Sequence, residues 1–139
     1  VVGAQSIEQF SVKDGIEFWP YVPAETLLPN CDWTICHGGH NTITQSLLYG
    51  VPLIIFPGPI FERRYNARHV ARAGCGVMGE HNQARPGWLR EVIERQAEFA
   101  PVAAELGCRI RDYGGAPAAI RAVEEWVGAR SGARSLAPR

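Results

Sequence analysis

Apolar positions in this chain follow two rhythms. Ile16–Trp19, Trp33–Cys36, Leu53–Phe56 and Gly76–Met78 are short runs of the length and composition of strands. Between and after them, apolar residues recur at helical spacing: Ile43, Leu47 and Leu48, then Ala67, Val70 and Ala71. The same spacing continues with Leu89, Val92 and Ile93, with Val102, Leu106 and Ile110, and with Ile120, Val123 and Val127. It predicts helices over Glu62–Ala73, Trp88–Ala97, Pro101–Asp112 and Pro117–Val127, with Ala67, Val70 and Ala71 on a buried side. A short helix over Ala24–Leu28 ends at Pro29-Asn30, and another follows His37-Gly38-Gly39 and stops at Gly50. Val1–Ala4 reads as a strand end and a loop, and Ser131–Arg139 as a polar, frayed tail.

Strands alternating with helices, and apolar throughout rather than on every second residue, predict an α/β fold with a parallel sheet covered on both faces. After Gly79 the strands cease and the chain becomes helical. Ligands of such sheets sit beyond the carboxyl ends of the strands, at a switch in strand order, and His37-Gly38-Gly39 is expected there.

Size and charge narrow the class. The 139 residues suit one domain, expected over residues 1–130 with 131–139 as the tail. Fourteen basic residues balance fourteen acidic ones, so the chain carries no electrostatic footprint for nucleic acid or an anionic membrane. The apolar runs are too short to span a bilayer. Cys31, Cys36, Cys75 and Cys108 have neither metal-ligand nor disulfide-framework spacing, and are expected as buried, reduced thiols of a cytoplasmic protein. The sequence opens at Val1, without methionine and inside a strand, as expected of a piece of a longer protein.

Two glycine motifs invite a nucleotide. Gly74-Cys75-Gly76-Val77-Met78-Gly79 has dinucleotide-type spacing, but that fingerprint needs a strand before it and a helix after it. Here a helix precedes and a strand runs through, so the run is a helix cap followed by a strand. His37-Gly38-Gly39 has the right setting, strand before and helix after. Unpaired N–H groups and the positive end of that helix suit an anion. No lysine follows, which separates it from a nucleotide-hydrolase phosphate loop. His37 supplies a donor, the glycines clear an approach, and Asn41 and Thr42 offer a cap and a donor. A plain strand-to-helix turn is the competing reading of these residues.

The run YVPAETLLPNCDWTICHGGHNTITQSLLYGVPLIIFPGPIFERRYNARHVARAGCG, from Tyr21 to Gly76, resembles the C-terminal, donor-binding domain of the GT-B nucleotide-sugar glycosyltransferases. It is similar above all to the bacterial natural-product and UDP-glycosyltransferase types, and the closing helices with their Tyr113-Gly114-Gly115 break also look like that family. The resemblance implies a Rossmann-like domain lacking its first elements. It places His37, Gly38, Gly39, Asn41 and Thr42 around the donor diphosphate. Tyr21 stands where a stacking tryptophan is usual, Val22 offers its backbone to the base, and Gln45 replaces a glutamate that holds the ribose. Glu62 and Arg63 stand where an acid and a glutamine contact the sugar, with a diphosphate contact or a surface place beside Arg64 as the alternatives for Arg63, and Ala24 replaces a common glutamine.

By the same resemblance the donor is a UDP- or dTDP-sugar, the acceptor is a small molecule or lipid, and neither cofactor nor metal is required. The acceptor and the general base belong to an N-terminal domain absent here, so no catalytic residue is assigned and the chain alone is expected to be inactive. Base, ribose and sugar contacts depart from the usual pattern while the phosphate turn does not. A helix end contributes about 0.3–1 kcal/mol per nearby charge, whereas a micromolar complex needs roughly 8 kcal/mol. Weak donor binding follows. His40, His69 and His81 read as surface residues. An epimerase of the same architecture, or the stand-alone donor subunit of a split glycosyltransferase, are the alternatives.

Overall fold

Leu53, Ile54 and Ile55 are each 0% exposed, which makes this run the centre of the structure. The computed structural model describes residues 2–3 and 8–134. Its strands are β1 (Val2–Gly3), β2 (Ser11–Lys13), β3 (Ile16–Trp19), β4 (Thr34–Cys36), β5 (Leu53–Ile55) and β6 (Gly76–Met78). Its helices are α1 (Ala24–Leu27), α2 (His40–Leu48), α3 (Phe61–Ala73), α4 (Pro86–Glu94), α5 (Gln96–Asp112) and α6 (Gly115–Arg134). Strands β4, β5 and β6 form a parallel sheet in that order, with Ile35 opposite Ile54 and Ile54 opposite Val77.

All three side chains of the central strand β5 are fully buried, so both its faces are covered and an unbroken apolar run suits it. Leu53 and Ile55 join Ile43 and Leu47 of α2, Ala67 and Val70 of α3, Cys75, and Ala103 of α5 in one core. The expectation of full cover holds for β5 alone. In β4, at the edge of the described sheet, Ile35 is 54% exposed.

The amino-terminal strands form a second, mixed sheet beside the parallel one. β1 pairs with β3 in parallel, but β2 pairs with β3 antiparallel, with Lys13 opposite Ile16. Asp14 and Gly15 close this hairpin with φ of 53° and 76°, the two positive values that a tight two-residue turn requires. Of the Val1–Ala4 strand reading, Val1 and Ala4 lie outside the described residues.

Other corrections concern helices and thiols. α5 begins at Gln96 and runs through Pro101 instead of starting there. The N–H missing at Pro101 is outweighed by packing, for Ala103 and Gly107 further along α5 are buried. Ala71 is exposed, since α3 turns only Ala67 and Val70 to the core. α6 extends to Arg134, into the expected tail, and residues 135–139 lie outside the described region. On α6, Ile120 and Val123 are exposed. Cys75 is buried, Cys31 and Cys36 are half-buried and Cys108 is exposed. Among the described residues no helix is long and apolar enough to cross a membrane.

Two glycine-dependent contacts fix α2 and α3. Gly74 ends α3 in the left-handed region, φ 75°, as a helix cap, and β6 follows. At the other end of α2, Gly107 of α5 approaches so closely that a Cβ there would collide with the Leu47 carbonyl. Gly50 turns with φ 72° against Ala104, and Arg111 donates to the Leu48 carbonyl. Within α2, Ser46 is 0% exposed, and its hydroxyl bonds both Thr34 Oγ1 at 2.6 Å and the Val51 carbonyl at 3.1 Å.

Candidate functional site

At the carboxyl end of β4 the chain must turn sharply to enter α2. Gly38 makes that turn with φ 90°, a conformation that side chains rarely adopt. A Cβ on it would lie 2.9 Å from Ile55 Cγ2 and 3.1 Å from the Arg63 carbonyl oxygen. Gly38 is therefore wedged between β5 and α3, buried beneath the turn. Burial pushes the neighbouring Cys36 thiol up, against the opposing effect of the Gly38 N–H on its sulfur.

Gly39 is the helix cap residue, extended at φ −65° and ψ 139°, and no side chain caps α2. This corrects the cap expected of Asn41 and Thr42, which lie inside the first turn. The ladder opens with Ile43 N–H donating to the Gly39 carbonyl at 3.2 Å. The amides of His40, Asn41 and Thr42 therefore have no acceptor within the helix. A Cβ on Gly39 would lie 2.8 Å from His37 Nε2, so the imidazole occupies the space a side chain would need.

These groups open onto a cleft of about 340 Å³ lined by His37, Gly39, His40, Asn41, Thr42, Glu62 and Arg63. One wall is the start of α2 and the other the start of α3. Asn66 joins the walls: its Nδ2 donates to the Gly38 carbonyl at 3.1 Å and to Glu62 Oε1 at 3.2 Å. The two arginines of α3 diverge. Arg64 donates to Glu80 at 2.7 Å and to the Gly58 carbonyl at 3.3 Å. Its guanidinium draws the Glu80 carboxyl below its ordinary range, chiefly through that hydrogen bond. Arg63 lines the cleft.

A second cleft, about 550 Å³, adjoins the first at Thr42. Val22 and Gln45 line it together, beside Ala24, Leu27, Leu28, Asn30, Cys31, Trp33, Thr34 and Ile35. Its lining is mostly apolar, with Asn30, Thr34, Thr42 and Gln45 as polar members. Tyr21, 78% exposed, is not among its lining residues. Gly38 likewise lies below the first cleft and does not line it. His40, His69 and His81 are all exposed, as read, and His40 also lines the first cleft. Asn66 and Ile35 were missed as well. An isoleucine in the middle of a strand signals core, and only the edge position of β4 makes it a cleft wall.

The family described as erythromycin biosynthesis protein CIII-like, C-terminal domain, matches residues 2–120. The chain belongs to that family. As an erythromycin CIII-like C-terminal domain it is the C-terminal domain of the GT-B glycosyltransferase type, Rossmann-like with a helical end. It is 34% identical over 101 residues to an aclacinomycin-T 2-deoxy-L-fucose transferase of Streptomyces galilaeus, covering 72% of this chain and 23% of that protein. A UDP-N-acetylglucosamine–N-acetylmuramyl-(pentapeptide) pyrophosphoryl-undecaprenol N-acetylglucosamine transferase of Bifidobacterium longum is also 34% identical, over 87 residues, 56% of this chain and 22% of that protein. The chain thus spans about a quarter of the length of these relatives. A calicheamicin glycosyltransferase shares the fold at a TM-score of 0.78 and 24% identity, over 85% of this chain and 31% of that one. The glycosyltransferase VinC, solved in complex with dTDP, gives a TM-score of 0.65 at 28% identity, over 73% of this chain and 26% of VinC.

Proposed function

We propose that this erythromycin CIII-like domain binds the nucleotide-sugar donor of a bacterial, cytoplasmic glycosyltransferase, with UDP- or dTDP-sugars as the donor class. The observation that carries the reading is the pair of adjoining clefts on α2. One presents the free amides of the first turn with His37, and the other is an apolar slot reaching Gln45. A diphosphate in the first cleft and a base with its ribose in the second would share Thr42 as their boundary. The dTDP in VinC, whose fold this chain shares, supports a diphosphate nucleotide as the ligand class.

Transfer of the sugar breaks the bond between its anomeric carbon and the distal phosphate oxygen, and the diphosphate departs with that electron pair. On this reading the domain stabilises the charge developing on the leaving group. Oriented amides, the positive helix end and the His37 ring face it before the bond breaks, so little reorganisation is required. This is a metal-independent scheme, with no cofactor. Glu62, held by Asn66, is placed to accept from a sugar hydroxyl. The acceptor site and the general base fall outside these residues, in the remaining length of proteins of this type.

Calorimetric titration of UDP and dTDP into the chain and into His37→Ala tests the reading. The expected result is weak binding by the wild type and about tenfold weaker binding by the variant, the loss of one charge-assisted hydrogen bond. Equal binding by both removes His37 from the site. No binding of either nucleotide at millimolar concentration overturns the function.

A further inference from the structure

Arg63 is the permanent cation of the first cleft, and its guanidinium has no hydrogen-bond or ion-pair partner among the described residues. Its neighbours show that this is not for want of anions. Arg64 is neutralised by Glu80 at 2.7 Å. Glu62, beside Arg63 and lining the same cleft, takes its hydrogen bond from Asn66 instead. Arg63 is half-buried as a residue and lines the cleft with its charge unmatched by a protein anion. An anionic group on a ligand in this cleft would meet a cation that no protein carboxylate already holds.

The backbone places Arg63 against the phosphate turn. Its Cα lies 3.6 Å, and its carbonyl oxygen 3.1 Å, from the point a Gly38 Cβ would occupy. The side chain therefore starts under the turn that leads into α2, and lines the same cleft as the amides of His40, Asn41 and Thr42. The arginine and those amides thus face one cleft, where a single anion can meet both. A guanidinium fork also matches two oxygens of one phosphate, which a neutral amide or a sugar hydroxyl does not exploit.

We propose that Arg63 is a specificity-determining residue that pairs with the distal, sugar-linked phosphate of the donor and makes the site select diphosphates over monophosphates. The inference rests on the nucleotide-sugar reading above. It differs from a sugar-hydroxyl role for this position in the charge it demands of the ligand.

The test compares UDP, UMP and UDP-glucuronate, by calorimetry, on the 139-residue chain and on Arg63→Gln and Arg63→Lys. Thermal melts first establish that each variant is folded. Arg63→Gln is expected to bind UDP at least tenfold more weakly and UMP within twofold of wild type, with a shallower salt dependence for UDP. Arg63→Lys, which keeps the charge and loses the fork, falls between. Unchanged UDP affinity in Arg63→Gln, with binding still weakened by His37→Ala, overturns this inference and leaves the function standing. A loss confined to UDP-glucuronate also overturns it and assigns Arg63 to a sugar carboxylate. Absence of any nucleotide binding overturns both.

Discussion

Asn66 is the residue whose removal reports most directly on how the phosphate turn is held. Its amide donates to the carbonyl of the buried Gly38 across 28 residues of sequence and, on the same nitrogen, to the Glu62 carboxylate. In Asn66→Ala the carbonyl of the buried Gly38 loses this donor, which costs about 1–3 kcal/mol. The Glu62 bond is exposed and adds roughly 0.5 kcal/mol or less. The sum, about 2 kcal/mol, is near a thirtyfold change in the folding equilibrium. Urea unfolding followed by tryptophan fluorescence should show it as a lower midpoint at unchanged slope. Asn66→Asp should be worse still, because an ionised carboxylate cannot donate and sits beside Glu62. The amide resonances of Gly38 and Gly39 should shift in both variants. If Asn66→Ala unfolds within about 0.5 kcal/mol of wild type, or Asn66→Asp is the milder change, the brace does not carry the turn.

The turn itself makes a second prediction. Gly38→Ala forces a side chain into φ 90° and sets its Cβ 2.9 Å from Ile55 Cγ2. Strain of about 1–2 kcal/mol plus overpacking of about 1–3 kcal/mol should lower thermal stability by several degrees and abolish UDP binding. A variant as stable as wild type contradicts the geometry. On the surface, Arg64 depresses the Glu80 carboxyl, so the folded state favours the ionised form. The stabilisation is fully present above the unfolded carboxyl's titration, near pH 4.3, and disappears as pH falls through the lower folded value. Melts across the acid range should show Glu80→Gln approaching wild type at the acid end. A constant gap at every pH would dissociate the pair from stability.

Local signals carried the centre of the fold and failed at its margins. The run Leu53–Ile55 was legible because a strand buried on both faces needs only apolar residues. The glycine doublet was legible because a strand running straight into a helix needs such a turn. Asn66 was not, since a hydrogen bond to a carbonyl far back in the sequence has no local signature. Ser46 fails for the same reason, a polar residue on a buried helix face whose partners Thr34 and Val51 lie on other segments. Pro101 misled by its strong local preference, which α5 overrides by packing Ala103 and Gly107 inward. The Asp14-Gly15 turn carried a usable signal, but its first strand, β2, is short and wholly exposed. For Ile120 and Val123 the spacing gave the helix, and spacing alone does not say whether another surface meets it.

α2 is nine residues long, so about 14 Å separates its two ends. Its tail is seated on α5: Gly107 abuts the Leu47 carbonyl, and Arg111 closes on that of Leu48. A rigid rod seated at its base cannot retreat when something presses on its tip. On the function proposed above, the depth at which an anion comes to rest is set from behind, by the contact of α2 with α5. A methyl group added at Gly107 would advance or tilt the whole rod and carry the amides of His40, Asn41 and Thr42 with it. α5, which contributes no residue to either cleft, is in this sense the end-stop against which the binding site is gauged.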